Sequence, residues 1–435
     1  MNKLKGVVVL FLSVITFALQ AQIIDKSWGD CKKYLGNISR DLSAKNITTT
    51  PPNYLNYWNQ VSPSNAGKWG FVENPRDVMN WGGLDKAYAL AKDNGHVFKQ
   101  HVFIWGNQQP KWMEDLPEDE QLAEIEEWIM AVCERYPDID QIEVVNEALH
   151  AIPDGPGNGN YMNALGGTGA TGYDWIIKAY ELARQYCPKA ELLINDYHIL
   201  NNQNKRSQHK AIATLLKDRE LLDGIGMQGH SFSVEDMTAE EMTAALDDLS
   251  TVGLPLYVTE FDVDADTINA VDPEVTQLLR YQELFPAIWE HPNIAGVTLW
   301  GYVKDQVWRE TAYLVSDGTD LATESPALTW LKNYVTKENT VCGQENTTVL
   351  SAGHLENKLV SVYPNPTETL DDLVVNMDEI INSVTLMDIN GRKLGTYNGN
   401  GTKRLSFSIE QKTGLYLLKM VGKSGTIETE RLVVK

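Results

Sequence analysis

The chain has 435 residues, of which 43% are hydrophobic and 22% charged, and its formal net charge is -22. That length exceeds what one hydrophobic core usually organises, so two domains are expected, and the composition is that of a folded globular protein. The acidity excludes nucleic acid and anionic membrane surfaces as partners, because phosphates would be repelled before any specific contact formed. A neutral or cationic partner remains, and twelve Trp and eighteen Tyr suit a polyhydroxylated ligand whose sugar faces stack on aromatic rings.

Lys3 and Lys5, an apolar run from Val7 to Leu19 and the small Ala21 read as a signal peptide over 1–21, with the mature chain starting near Gln22 and exported. The run is shorter than the roughly 20 apolar residues of a membrane-spanning helix. From about residue 33 to 337, β-rich runs alternate with amphipathic helical stretches, the pattern of parallel strands joined by crossover helices. The strands fall at Tyr34–Ile38, Tyr57–Val61, Val97–Trp105, Gln141–Asn146, Glu191–Asn195, Gly224–Gln228, Pro255–Thr259 and Gly296–Trp300. Helices are expected at Leu84–Asp93, Glu120–Tyr136, Tyr173–Tyr186, Ser207–Lys217, Ala239–Leu249, Val275–Trp289 and Ala327–Tyr334. In Glu120–Tyr136, Leu122, Ile125, Trp128, Ile129 and Val132 recur at helical spacing and predict a face packed on a sheet. The fold class is therefore α/β, a (β/α)8 TIM barrel over 22–337.

Residues 338–360 read as a linker. Alternating runs follow at Leu373–Asn376, Ser383–Asp388, Leu405–Ile409, Tyr416–Val421 and Thr426–Val434, with Asn390-Gly391 as a hairpin signal. They predict a small all-β, immunoglobulin-like sandwich over 361–435. Cys31, Cys133, Cys187 and Cys342 are too scattered for a metal site, and neither metal nor other cofactor is expected. Cys31–Cys342 across the ends of the large domain, Cys133–Cys187 between successive helices, and buried thiols all stay open.

Residues at the C-terminal ends of barrel strands line one mouth. Strand four ends Val144-Val145-Asn146-Glu147 and strand seven Tyr257-Val258-Thr259-Glu260-Phe261-Asp262, which sets two carboxyl groups at the same mouth. Either glutamate alone reads as a solvated loop residue. A pair is what glycoside cleavage needs, one to protonate the leaving oxygen and one to attack or to activate water, and retention of configuration requires about 5 Å between them.

Asn146-Glu147 and Thr259-Glu260-Phe261-Asp262 resemble the acid/base and nucleophile motifs of family 10 glycoside hydrolases. Asn65-Ala66-Gly67-Lys68-Trp69 resembles the strand-two sugar-binding motif, and His101-Val102-Phe103-Ile104-Trp105 with Gln108 that of strand three. Asn195-Asp196-Tyr197, Gln228-Gly229-His230 and Thr298-Leu299-Trp300-Gly301 with Trp308-Arg309 resemble those of strands five, six and eight. The resemblance covers roughly residues 30 to 335. It implies an endo-acting xylanase that retains anomeric configuration, with Glu147 as acid/base and Glu260 as nucleophile. His230 would hydrogen-bond the nucleophile and be oriented by Asp262, and Asn146 would contact the hydroxyl beside the reacting carbon. Asn65, Lys68, His101 and Gln108 would bind glycone hydroxyls, with Gln228 also on the substrate, and Trp105, Trp300, Trp308 and Tyr197 would form aromatic walls. Singly, His230 reads as a structural histidine and each Trp as packing.

Many family members carry Glu before the strand-two Asn and His after the strand-three Trp; this chain has Ser64 and Gly106, which predicts altered glycone recognition. The Gly- and Asn-rich stretch Ala151–Thr171 is long for a strand-to-helix connection and is expected at the cleft rim. It lacks the Lys-Ser/Thr ending of a phosphate cradle. In the tail, Tyr363-Pro364-Asn365-Pro366, Asp388-Ile389-Asn390-Gly391-Arg392, Gly414-Leu415-Tyr416 and the closing Leu432-Val433-Val434-Lys435 resemble a type IX secretion C-terminal sorting domain. The expected partners are thus xylan and the outer-membrane secretion machinery, and the expected form is a secreted or surface-attached monomer of a Gram-negative bacterium. The competing readings are the same mechanism on cellulose or a mixed-linkage glucan, and a non-catalytic glycan-binding protein.

Overall fold

The computed structural model describes residues 33–39, 54–264, 273–316, 322–338, 360–363, 367, 372–377, 379–388, 392–412 and 414–434. The expected signal peptide, the Cys31–Cys342 pairing, all but the ends of the 338–360 linker, and the Pro364-Asn365-Pro366 and Asn390-Gly391 motifs lie outside the described residues.

Eight strands, β1 (Tyr34–Ile38), β2 (Gln60–Ser62), β3 (Val97–Ile104), β4 (Gln141–Asn146), β5 (Glu191–Asn195), β6 (Gly224–Met227), β7 (Leu256–Phe261) and β8 (Ile294–Leu299), pair in chain order into a closed parallel barrel. Closure comes from β1, which pairs with β2 on one side and β8 on the other. The strands are buried along almost their whole length because helices cover the outside and side chains fill the lumen. Around them lie α1 (Tyr54–Tyr57), α2 (Trp69–Val72), α3 (Gly82–Lys92), α4 (Glu118–Arg135), α5 (Asp174–Tyr186), α6 (Gln203–Lys217), α7 (Ser231–Val234), α8 (Ala239–Ser250), α9 (Pro273–Trp289) and α10 (Pro326–Glu338).

Local chemistry explains the helices. In α4, Glu118, Asp119 and Glu120 occupy the first turn and Arg135 the last, each sign favourable to the helix dipole, while Ile125, Trp128, Ile129 and Val132 are fully buried. Helix α8 opens on a reciprocal capping box in which Thr238 and Glu241 satisfy each other's backbone N–H groups. Cys133 and Cys187, 54 residues apart at the C-terminal ends of α4 and α5, form a disulfide with a Cα–Cα distance of 5.4 Å.

Strand two departs from expectation. Tyr57–Val61 was expected to be extended, but Tyr54–Tyr57 make a helical turn and the strand begins at Gln60. The turn sets Tyr54 and Tyr57, three residues apart, on one face, where both meet Tyr302 edge-on at 6.2 Å. Strand three stops at Ile104, freeing Trp105 to turn toward the mouth.

The C-terminal region is all β. Strands β9 (Val360–Tyr363), β10 (Asp372–Met377) and β13 (Arg404–Ser408) form a three-stranded sheet in the order β13-β10-β9. β11 (Ile381–Asp388), β12 (Lys393–Asn398), β14 (Gly414–Gly422) and β15 (Ile427–Val434) form a four-stranded sheet in the order β12-β11-β14-β15. Val384 and Leu386 of β11 and Leu418 and Met420 of β14 are buried and cluster with Leu373, Val375, Leu405 and Phe407 of the other sheet. This is the sandwich anticipated, and β9 and β12 are strands the sequence did not reveal.

Candidate active site

At the C-terminal mouth of the barrel lies a cavity of about 600 Å3. Its lining includes Asn65, Lys68, His101, Trp105, Gln108, Asn146, Glu147, Tyr197, Gln228, His230, Glu260, Trp300 and Trp308. Asp262, the other anticipated residue, sits behind His230 and is 3% exposed. Ile38, Asn107, Phe232, Asp305, Gln306 and Val307 also line the cavity without having been anticipated.

Glu147 follows β4 with φ at +55°, a left-handed conformation that costs a non-glycine residue energy and is held here because its N–H donates to the Asn195 carbonyl at 2.8 Å. Its carboxyl accepts from Gln228 Nε2 at 3.0 Å and Asn146 Nδ2 at 3.3 Å on Oε1, and from Trp105 Nε1 at 3.0 Å on Oε2. Burial raises its pKa above the ordinary carboxylate value; the Gln228 and Trp105 donors oppose that, and the negative charges of Glu260 and Asp196 add to it.

Glu260, in β7, is 4% exposed and surrounded by donors. Asn195 Nδ2 donates to its Oε1 at 2.9 Å, and His230 Nε2 lies 3.1 Å from its Oε2. Burial would raise its pKa, yet the His230 hydrogen bond and the positive charges of His101, His230 and Lys99 outweigh it and hold the carboxyl ionised. Nδ1 of His230 faces Asp262 Oδ2 at 2.7 Å, and Asp262 Oδ1 accepts from the Ser231 N–H at 2.7 Å. Although burial disfavours the imidazolium, Asp262 and Glu260 raise the His230 pKa to about 9. The two glutamates thus line one cavity, Glu260 buried and Glu147 partly so, with their pKa values pushed apart, the arrangement that separates an acid from a nucleophile.

Asn195 stood in the strand-five motif without a role of its own. Fully buried, it joins the two halves of the site: Nδ2 also donates to Asn146 Oδ1 at 2.9 Å, and Oδ1 accepts from Thr259 Oγ1 at 2.6 Å. Deeper in the lumen, the fully buried Lys99 donates to Glu143 Oε1 at 2.6 Å and to the Thr259 carbonyl at 3.2 Å, while Glu143 Oε2 faces His101 Nδ1 at 2.5 Å. The only sequence signal was charge inside runs that otherwise read as buried strands.

On the opposite wall Lys68 donates to Asn65 Oδ1 at 2.8 Å and Gln108 Oε1 at 2.6 Å, and lies 5.0 Å from the Trp105 ring centroid. Trp300 is 9% exposed and packs edge-on against His101 at 5.1 Å, whereas Trp308 is 54% exposed. Tyr197 stacks on His150 at 3.8 Å, and Asp196 binds His150 Nδ1 at 2.6 Å. The loop from Ala151 to Thr171 is fastened to the end of β3: Gly106 N–H donates to the Ala151 carbonyl at 2.8 Å and the buried Tyr161 hydroxyl to the Trp105 carbonyl at 2.8 Å. Among the described residues, two groups converge closely enough to hold an ion, His101 with Glu143 and Glu260, and Glu73 with Asp77 and Glu124. The first already contains the Lys99 ammonium, and Arg76 Nε donates to Glu124 Oε1 at 2.8 Å in the second.

Comparison with known proteins agrees with this geometry. Residues 361–435 match the secretion system C-terminal sorting domain, and residues 27–340 match glycosyl hydrolase family 10. Endo-1,4-beta-xylanase B of Cellvibrio japonicus is 39% identical over 304 residues, which span 69% of this chain and 46% of that protein. The beta-1,4-xylanase of Dictyoglomus thermophilum is 29% identical over 325 residues, 71% of this chain and 90% of the relative. Among solved structures, the intracellular xylanase of Thermoanaerobacterium saccharolyticum superposes with a TM-score of 0.57 at 25% identity over 71% of this chain and 98% of its own. A family 10 structure from Paenibacillus barcinonensis, at 22% identity, shares the fold with a TM-score of 0.61 over 72% of this chain and 98% of its own. With the family match spanning the whole barrel, this chain belongs to glycosyl hydrolase family 10.

Proposed function

We propose that the protein is a secreted endo-1,4-beta-xylanase that cleaves xylan by double displacement with retention of configuration. Residues 22–337 are its catalytic domain and 338–360 the linker; 361–435 direct export of the monomeric enzyme through the secretion machinery, after removal of residues 1–21. The substrate class rests on the relatives, which are named xylanases. The mechanism rests on one observation, a buried carboxylate kept ionised by His230 in the same cavity as a partly buried carboxyl whose pKa is raised.

In the first step the Glu260 carboxylate attacks the anomeric carbon while Glu147 gives its proton to the departing glycosidic oxygen, and a glycosyl ester forms on Glu260. Esterification removes the Glu260 charge, and with it one of the causes that raise the Glu147 pKa. Glu147, now a carboxylate, takes a proton from water as that water attacks the same carbon, and Glu260 leaves as the anion. His230 and Asn195 each donate to one oxygen of Glu260, so both hold it for in-line attack. Asn146, Asn65, Lys68, His101, Gln108 and Gln228 bind sugar hydroxyls, and Trp105, Trp300, Trp308 and Tyr197 provide the walls.

Glu260→Ala is expected to abolish hydrolysis of xylohexaose while leaving its binding, measured calorimetrically, in place; undiminished turnover overturns the nucleophile assignment. Release of reducing ends from xylan and from carboxymethylcellulose tests the substrate separately. Faster cleavage of the cellulose derivative removes xylan from the proposal and leaves the two-carboxylate mechanism standing.

A further inference from the structure

Trp308 combines features that a simple wall residue does not need. Its ring is 54% exposed, yet its Nε1–H points inward and donates to Asp262 Oδ2 at 3.0 Å. That oxygen is the one facing His230 Nδ1 at 2.7 Å. The indole also stands edge-on to the His230 ring, with centroids 4.7 Å apart and planes at 60°. The Arg309 guanidinium lies 5.4 Å from the Trp308 ring centroid and is itself paired with Asp264 at 3.2 Å. Phe232 closes the remaining side, with ring centroids 6.2 Å apart.

We infer that Trp308 is a positioning residue for the nucleophile: its indole N–H sets how strongly Asp262 holds His230, and through His230 how firmly Glu260 is held, while its open face meets the sugar. This rests on the reading of Glu260 as nucleophile. Both nitrogens of His230 face carboxylates, Asp262 and Glu260, and only an imidazolium donates from both. Asp262 distributes its charge over Ser231 N–H, His230 and the indole. Removing the indole donor leaves more negative charge on Oδ2, the atom against the imidazolium, so His230 holds its proton to higher pH. The other charges around His230 stay in place: Glu260 on β7, Glu147 across the cavity, Lys99 and His101 on β3, and Arg309 with Asp264 beside the indole. A sugar seated on Trp308 therefore rests on a group bonded directly to the residue that orients the nucleophile's partner.

Trp308→Phe keeps an aromatic face and deletes the donor. In long-range 15N spectra of the eight-histidine protein, the His230 titration is expected to move upward by roughly half a unit or more. Xylohexaose binding should be retained and kcat should fall more than KM rises. A His230 titration that stays in place, with only binding weakened, makes Trp308 a wall and overturns the inference. The wild-type protein gives a second measurement independent of folding of the variant: the Trp308 indole N–H resonance should shift with the midpoint of His230, and an indole signal insensitive to that titration is equally fatal. Failure of the nucleophile reading is distinguishable, because it shows as turnover surviving Glu260→Ala.

Discussion

Gln228→Leu isolates the group that limits activity at high pH. Gln228 is 3% exposed and its side chain donates to Glu147 Oε1 at 3.0 Å, the strongest of the contacts opposing the raised pKa of that carboxyl. A hydrogen bond to a charged acceptor is worth about 1.5–3 kcal/mol and one to a neutral acceptor about 0.5–1.5, so its loss disfavours the ionised form by roughly 1–1.5 kcal/mol more than the neutral acid. At 1.36 kcal/mol per unit, the Glu147 titration moves up by roughly one pH unit, and the added apolar surface of Leu acts in the same direction. The acid must be protonated when the leaving oxygen departs. The alkaline limb of kcat/KM on xylo-oligosaccharides therefore rises in Gln228→Leu, while the acid limb, which follows ionised Glu260, stays near its wild-type position. The backbone links through this residue, Gln228 N–H to Asp196 and Glu260 N–H to Gln228, survive the change. The assay is kcat/KM across the full pH range for both proteins at matched ionic strength. An alkaline limb that stays fixed or moves down refutes the assignment of that limb to Glu147.

Two further outcomes concern the scaffold. Joining Cys133 to Cys187 closes a segment with a sequence separation of 54, and loop-closure entropy puts its contribution near 4 kcal/mol as an upper figure; Cys133→Ala/Cys187→Ala should lower Tm by several degrees without changing KM, and an unaltered Tm counts against it. Lys99→Met leaves Glu143 as a fully buried carboxylate without its ammonium partner, a change expected to destabilise by about 3–5 kcal/mol, and in whatever protein folds the acid limb should rise because a positive charge that keeps Glu260 ionised is gone. Denaturant titration and the pH profile check these two effects separately.

Both carboxyl groups were legible because strand C-termini carry the chemistry in a barrel, and β4 ends at Asn146 as anticipated while Glu260 lies within the last residues of β7. The support beneath them was not. Lys99, Glu143 and Thr259 point into the lumen from different strands, and nothing local distinguishes a lumen-facing charge from one at an exposed edge. Asn195 stood at a strand end as visibly as Asn146, but its bonds to Asn146, Glu260 and Thr259 depend on how β4, β5 and β7 are juxtaposed. Phe232 reaches the site from the one-turn helix α7 and Arg309 from the loop after β8, segments too short or too irregular for periodicity to carry a signal. In the tail, β12 was missed because none of its residues is buried and the run contains Gly395.

The two departures from the common family pattern differ in kind. Ser64 is a replacement within the cavity lining, at φ +33°, and its short side chain leaves the wall beside Asn65 without the longer acid many relatives carry there. Gly106 is tied to the neighbouring loop: a Cβ at that position would lie 2.4 Å from the Ala151 carbonyl oxygen and 2.6 Å from that of Ile152. These are backbone atoms, so no rotamer change relieves the clash, and a histidine at 106 is incompatible with the loop as it lies. The same loop carries Tyr161, whose hydroxyl fixes the Trp105 carbonyl, and Trp105 donates to Glu147. Glycine at 106 thus accompanies a loop that approaches the end of β3 closely enough to brace Trp105 from outside. The missing histidine is better understood as the consequence of another way of holding Glu147 than as a simple loss of a sugar contact.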